Sequence, residues 1–288
     1  MNTIEKALQK QRESQRGKKT KTYGSMDRYS VQQESGLVSS NMKEIDLARL
    51  EEMGMLVPAN GRSVMAEEYR AIKSPILANA FGDKTRPDDH SNLVMVTSAL
   101  PGEGKSFTSI CLAMSIAMEL DRTVLLVDAD LSRSSVTKYL GIEADAGLVD
   151  YLLEPDKKLE EVLIKTNVSN LTILPSGRPH QHATELLASD AMTQLAQELA
   201  NRYPDRIIVI DTPPLLVTSE SKVLTGLAGQ ILIVVEAFKT AQSTLDDALG
   251  LLDDDMNVGL ILNKNRTGKS GGYYGGYGYG YYGSKDEN

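Results

Sequence analysis

Six short runs of almost unbroken aliphatic and β-branched residues dominate the chain beyond Asn92: Leu93–Thr97, Thr123–Val127, Leu171–Leu174, Arg206–Ile210, Gln230–Val235 and Val258–Leu262. A strand with no polar alternation has no face to give to water, so each run predicts a strand covered on both sides, the habit of parallel sheets. Helical segments begin between them, near Lys105, Ser134, Ser189, Ser219 and Thr240. This alternation predicts an α/β fold, a doubly wound and mostly parallel sheet. In such a sheet ligands bind beyond the carboxyl ends of the strands, so chemistry is sought there. With 288 residues, 41% of them hydrophobic, the chain has ample material for a core.

Composition excludes several classes. A single cysteine, Cys111, rules out an internal disulfide framework, and its apolar helical context predicts a buried structural thiol. No apolar run reaches the roughly 18–20 residues that span a bilayer, and Met1–Lys6 lacks the apolar centre of a secretory signal. The reading is a cytoplasmic protein whose membrane association would come through a partner or a surface patch. A net charge of −8 and a pI near 5.1 argue against nucleic acid as the main ligand.

Four stretches follow along the chain. Residues 1–40 are polar and locally basic, with Lys18, Lys19 and Lys21 clustered, and hold too few hydrophobes to order themselves; weak attachment to anionic lipid or contact with a partner are the alternatives to a plain solvated leader. Residues 41–90 turn helical, with Met65, Tyr69, Ile72 and Ile76 at helical spacing. Within that helix Glu67, Arg70 and Lys73 lie three apart, which predicts one shared face and, at the least, intrahelical charge pairing. Residues 91–268 form the α/β core. Residues 269–288 are a Gly/Tyr tail with six phenols, Tyr273, Tyr274, Tyr277, Tyr279, Tyr281 and Tyr282, and nothing aliphatic to pack them. A row of phenols on a glycine tether is a substrate for a phosphotransferase.

The first strand runs into Ala99-Leu-Pro-Gly102-Glu-Gly104-Lys105-Ser106, a phosphate-binding loop with alanine in place of the usual first glycine. Gly102 and Gly104 let backbone N–H groups turn inward around phosphate oxygens, and the following helix N-terminus adds positive potential. The nucleotide-contacting set is therefore Pro101, Gly102, Glu103, Gly104, Lys105, Ser106 and Phe107, with Lys105 reaching the β- and γ-phosphates and Ser106 ligating Mg²⁺. The second strand ends in Asp128-Ala-Asp130, whose paired acids suggest a cation site at Asp128 and a base at Asp130. Asp211 ends a third apolar strand before two prolines and would serve the outer shell of the same metal. Asn263 closes the last strand, where its amide would meet an adenine edge or simply shape a turn. His180 and His182 lack a third ligand nearby and read as loop residues.

Together, Ser-Ala-Leu-Pro-Gly-Glu-Gly-Lys-Ser, Val-Asp-Ala-Asp, Val-Ile-Asp-Thr-Pro-Pro and the tyrosine tail resemble the bacterial tyrosine kinases (BY-kinases), relatives in fold of MinD/ParA-type P-loop ATPases. Gly147–Leu153 and Leu174–Leu187 also look like family segments, the latter similar to the exosortase-associated autokinases of exopolysaccharide clusters. The resemblance covers about residues 60–288. It implies an ATP- and Mg²⁺-dependent protein-tyrosine autokinase with Lys105, Asp128, Asp130 and Asp211 as catalytic residues. It further implies a homo-oligomeric ring, commonly an octamer, joined through a Glu-x-x-Arg-x-x-Arg helix that Glu67, Arg70 and Lys73 match with lysine last. A separate membrane polysaccharide co-polymerase or chain-length regulator as activator, a cognate tyrosine phosphatase and a place at the inner membrane through that partner are implied likewise. Ser132 stands where the family often has arginine, and Arg133 follows one residue later.

From Asn263, Tyr273 lies ten residues on and Tyr282 nineteen, a reach of roughly 33–65 Å at full extension. That spans the chain's own site or a neighbour's. The competing class is a MinD/ParA-like switch ATPase without a protein acceptor; the extra lysine of that group is missing from Ser98–Pro101. A third reading takes the tail as a Gly/Tyr adhesive segment.

Overall fold

The computed structural model describes residues 41–82, 90–203 and 205–265. The leader and the tyrosine tail lie outside the described residues. Eight strands form one sheet in the order β1-β4-β5-β3-β6-β2-β7-β8, where β1 is Met42–Lys43, β2 Leu93–Ser98, β3 Thr123–Asp128, β4 Ile164–Thr166, β5 Leu171–Leu174, β6 Arg206–Asp211, β7 Gln230–Glu236 and β8 Val258–Asn263. All pairings are parallel except β4 with β5, so β1 and β4 form a reversed margin. The six sequence-read strands appear within a residue of their expected ends. The other two are two and three residues long, too short for any periodicity to declare them.

Side chains alternate across the central strands to feed two cores. Val94, Val96, Val124, Leu126, Val209 and Val234 enter one layer, and Leu93, Met95, Leu125, Val127, Ile208 and Ile233 the other. The first layer is roofed by α2 (Val64–Phe81) and α3 (Lys105–Ala117), preceded by α1 (Leu47–Glu52) and a 3₁₀ turn at Pro58–Asn60. Helices α4 (Ser135–Leu140), α5 (Leu148–Leu153), α6 (Leu159–Val162), α7 (Ala183–Leu187), α8 (Asp190–Arg202), α9 (Ser219–Thr225) and α10 (Gln242–Leu249) complete the chain. Helix α8 shows how local sequence fixes its packing. Ser189 caps it by accepting the Met192 N–H, and Met192, Leu195, Ala196 and Leu199 make one buried stripe over the second layer.

Residues 41–63 are less helical than the sequence suggested. Gly54 at φ +74 and Pro58 break the run, and Ile45, Leu50, Met55, Leu56 and Val57 are buried in the first core layer. Cys111 is buried in α3, where its thiol accepts the Leu56 N–H and burial pushes its pKa up to about 11. Helix α2 runs through Pro75, whose ring faces outward. Among the described residues no helix is long and apolar enough to cross a membrane.

Candidate active site

The phosphate loop links Ser98, at the end of β2, to Lys105, at the start of α3. Gly102 and Gly104 both hold left-handed backbone, at φ +88 and +102. A Cβ on Gly104 would also push the Asn263 amide from its place, so a substitution there strains the backbone and displaces a neighbour. Glu103 is buried and braces the loop: its carboxylate accepts the Leu100 N–H at 2.7 Å and the Thr240 hydroxyl. Its backbone, rather than its side chain, is what remains to face a ligand. Phe107 packs against the first core layer, leaving only its first-turn N–H for a phosphate. Pro101 is exposed at the loop's tip.

Two carboxylates, Asp130 and Asp211, and one hydroxyl converge on Lys105, and Asp128 lies next to Asp211. Lys105 Nζ lies 2.5 Å from Asp130 Oδ2, 3.8 Å from Asp211 Oδ1 and 3.5 Å from Ser106 Oγ. Asp128 and Asp211 sit opposite each other in the β3–β6 register, which is why two aspartates far apart in sequence end side by side. All three acids are fully buried. Asp130 also accepts from Ser132 Oγ and the Arg133 N–H, so the serine in the expected arginine slot holds this carboxylate, while the Arg133 side chain is exposed. Asp128 Oδ2 accepts the Val136 N–H of α4, and Asp211 Oδ1 accepts the Ser109 hydroxyl. Ser109 was not legible as a site residue; it looks like one more small residue on an apolar helix.

One lysine does not neutralise this cluster. Burial and then the neighbouring Asp211 charge lift the Asp128 carboxyl to about 7, and burial raises that of Asp211 as well. Asp128 Oδ1 and Asp211 Oδ2 are buried without a hydrogen-bond partner. Orphaned anionic oxygens beside the Ser106 hydroxyl suit a hard, hydrated divalent cation.

The other flank of the loop is formed by the ends of β7 and β8. Asn263 donates from Nδ2 to the Glu103 carbonyl at 2.8 Å, and Lys264 donates from Nζ to the Gly102 carbonyl at 2.6 Å. Lys264 and Lys239 share Glu236 Oε2 at 3.1 Å each. The chain therefore leaves its last strand bonded to the phosphate loop.

The structure separates the three residues read as one helical face. Glu67 and Arg70 are exposed and pair with each other, and Arg70 also donates to the Gly61 carbonyl. Lys73 is buried instead, donating to the Ser115 carbonyl at 2.8 Å and pairing with Glu119 at 2.5 Å. Each three-residue step falls about 60° short of a full turn, and two such steps carry Lys73 round to the core. His180 and His182 lie ring against ring at 5.7 Å, and Nδ1 of His180 accepts the His182 N–H.

Comparison with known proteins agrees with this geometry. Tyrosine-protein kinase YwqD of Bacillus subtilis is 32% identical over 228 residues, 78% of this chain and 89% of that one. The chain belongs to the bacterial tyrosine kinase family. Residues 92–254 match the AAA domain family, which in this BY-kinase takes in β2 to β7 and the phosphate loop. Tyrosine-protein kinase etk of Escherichia coli is 33% identical over 178 residues, but these are only 24% of its length. The solved kinase domain of that enzyme superposes with a TM-score of 0.64 at 29% identity, covering 77% of this chain and 83% of the domain. The septum site-determining protein MinD of Pyrococcus horikoshii, solved with Mg-ADP, has a TM-score of 0.50 at 23% identity over 62% of this chain and 72% of that one, a likeness of fold alone.

Proposed function

We propose that this BY-kinase is an ATP-dependent tyrosine autokinase that phosphorylates its own C-terminal cluster, Tyr273, Tyr274, Tyr277, Tyr279, Tyr281 and Tyr282. The observation that carries the reading is the junction of two features at one loop. Lys105 is buried against Asp130 and Asp211, with Asp128 opposite Asp211 in the strand register, and the last strand, which leads to the tyrosines, is hydrogen-bonded to the same loop. Ser106, Asp128 and Asp211 would hold Mg²⁺ and its waters, and the cation would neutralise charge developing between the β- and γ-phosphates. Lys105, drawn to the phosphates, would release Asp130. Asp130 then takes the proton of the attacking phenol, whose oxygen gains the phosphoryl group as ADP leaves. A phenol with a pKa near 10 needs such a partner at neutral pH.

The family resemblance implies transfer between neighbours in a ring, with Glu67 and Arg70 at the contact, and a tail of this length is long enough for it. A membrane co-polymerase or chain-length regulator supplies activation and a seat at the inner membrane, a tyrosine phosphatase resets the tail, and the process served is exopolysaccharide production or export. These steps rest on the family resemblance. Purified protein incubated with Mg²⁺·ATP is expected to gain phosphate on the tail, read by intact mass and phosphotyrosine mapping. Lys105→Met should lower the rate at least about a hundredfold, the scale of losing one charge-stabilising donor, and a six-Tyr→Phe tail should take up none. ATP hydrolysis with no phosphotyrosine, even with the partner's cytoplasmic segment added, would instead favour a switch ATPase.

A further inference from the structure

Four non-glycine residues hold left-handed backbone among the described residues, and two of them, Phe238 and Lys264, closely follow the strands β7 and β8 beside the phosphate loop. Phe238 is the costly one. Its φ is +61, and a bulky side chain without a local hydrogen-bonding group gains nothing from that conformation. Nor does packing repay it. Phe81 and Phe107 pack against the first core layer, whereas Phe238 is 89% exposed.

The turn that carries Phe238 is held in place. Thr240 N–H donates to the Glu236 carbonyl, the Thr240 hydroxyl donates to Glu103 of the phosphate loop, and the Ala237 N–H donates to the Asn263 carbonyl. The backbone that carries Phe238 is therefore fixed next to the loop on the flank of β7 and β8, and its ring stands exposed there. Sheet order decides what that flank can receive. The strands β3 and β6 bring the three buried aspartates, and any cation they hold, to the opposite flank, whereas Glu103 and Glu236 on this one are already hydrogen-bonded or paired. A nucleotide with its phosphates in the loop must lead its ribose and base away from those charges, over the ends of β7 and β8.

We infer that Phe238 is a base-stacking residue, a fixed aromatic platform for the purine of the bound nucleotide. This rests on the nucleotide-binding reading of the loop and adds to it the residue that recognises the base. The test is calorimetric binding of ADP and of inorganic tripolyphosphate to the full chain, wild type beside Phe238→Gly and Phe238→Tyr. Glycine accepts the left-handed turn more readily than phenylalanine, so folding is not at risk. Phe238→Gly is expected to weaken ADP about tenfold, within the range for one base on one aromatic ring, with tripolyphosphate unchanged and Phe238→Tyr close to wild type. Equal ADP affinity in wild type and Phe238→Gly would overturn the assignment, and a simultaneous change in sedimentation would give the ring to a neighbouring copy. Parallel loss of both ligands would overturn it too, making Phe238 a support of the loop. A wild type that binds neither probe would defeat the nucleotide reading itself.

Discussion

Asp128 shows how far a single residue's chemistry is set by its neighbours. In an isolated sequence it is one more aspartate at the end of a strand; in the fold it is fully buried, faces Asp211 across a strand pair and leaves one oxygen orphaned. Its carboxyl rises from an ordinary 3.8 to about 7. A raised carboxyl binds its proton more tightly when folded, so this stability is full below about pH 4 and is lost as pH climbs through 7. In protein stripped of metal and nucleotide, Asp128→Asn should therefore raise the unfolding midpoint at pH 8 by several degrees and change it little at pH 4.5, measured by thermal melts across that range. A constant difference at all pH values would mean that the carboxyl is not titrating in the folded state. The same substitution should weaken Mg²⁺·ADP binding, because the orphaned anionic oxygen is what suits a cation.

At the scale of elements, the sequence declared whatever had enough length or enough apolar continuity. Leu93–Ser98 and Arg206–Asp211 are six-residue strands buried along nearly their whole length, and their runs of β-branched residues permit little else. The phosphate loop was legible because its glycines have a conformational duty. What stayed hidden depends on contacts distant in sequence: the reversed strand Ile164–Thr166, the Glu103–Thr240 brace, and above all Lys73. Spacing alone put Lys73 beside Glu67 and Arg70, yet it donates to the Ser115 carbonyl in the last turn of α3, where helix carbonyls need partners from outside the helix. Lys73→Met should cost about 1–3 kcal/mol in urea unfolding, the price of stranding a buried carbonyl and the Glu119 partner. Paired Glu67→Ala and Arg70→Ala changes should move stability by no more than about 0.5 kcal/mol, since both are exposed. Sedimentation should divide the residues the opposite way, with the ring lost in the Glu67/Arg70 variant and kept by Lys73→Met. A dissociated Lys73→Met protein of near wild-type stability would return the lysine to the subunit contact.

Charge sets the behaviour of the whole molecule. The chain carries −8 before any modification, and six phosphotyrosines would add about nine to twelve further negative charges within ten residues of tail. In a ring, that charge lies close to the next subunit's acidic site and to the tail beyond it, so each transfer raises the free energy of staying assembled. On the proposed reading the reaction would weaken the contact that brings acceptor to donor, which would turn a simple transfer into a cycle of assembly, phosphorylation and release, closed by a phosphatase. Sedimentation velocity before and after exhaustive phosphorylation should show the ring passing to smaller species. The six-Tyr→Phe protein, given the same Mg²⁺·ATP, should stay assembled, which separates charge from nucleotide as the cause. Because surface repulsion is screened over about 10 Å at 0.1 M salt and about 3 Å at 1 M, raising salt should partly restore the ring. An unchanged ring on a fully phosphorylated tail would sink the cycle, and release of the Tyr→Phe protein would move the switch from the tail to the nucleotide.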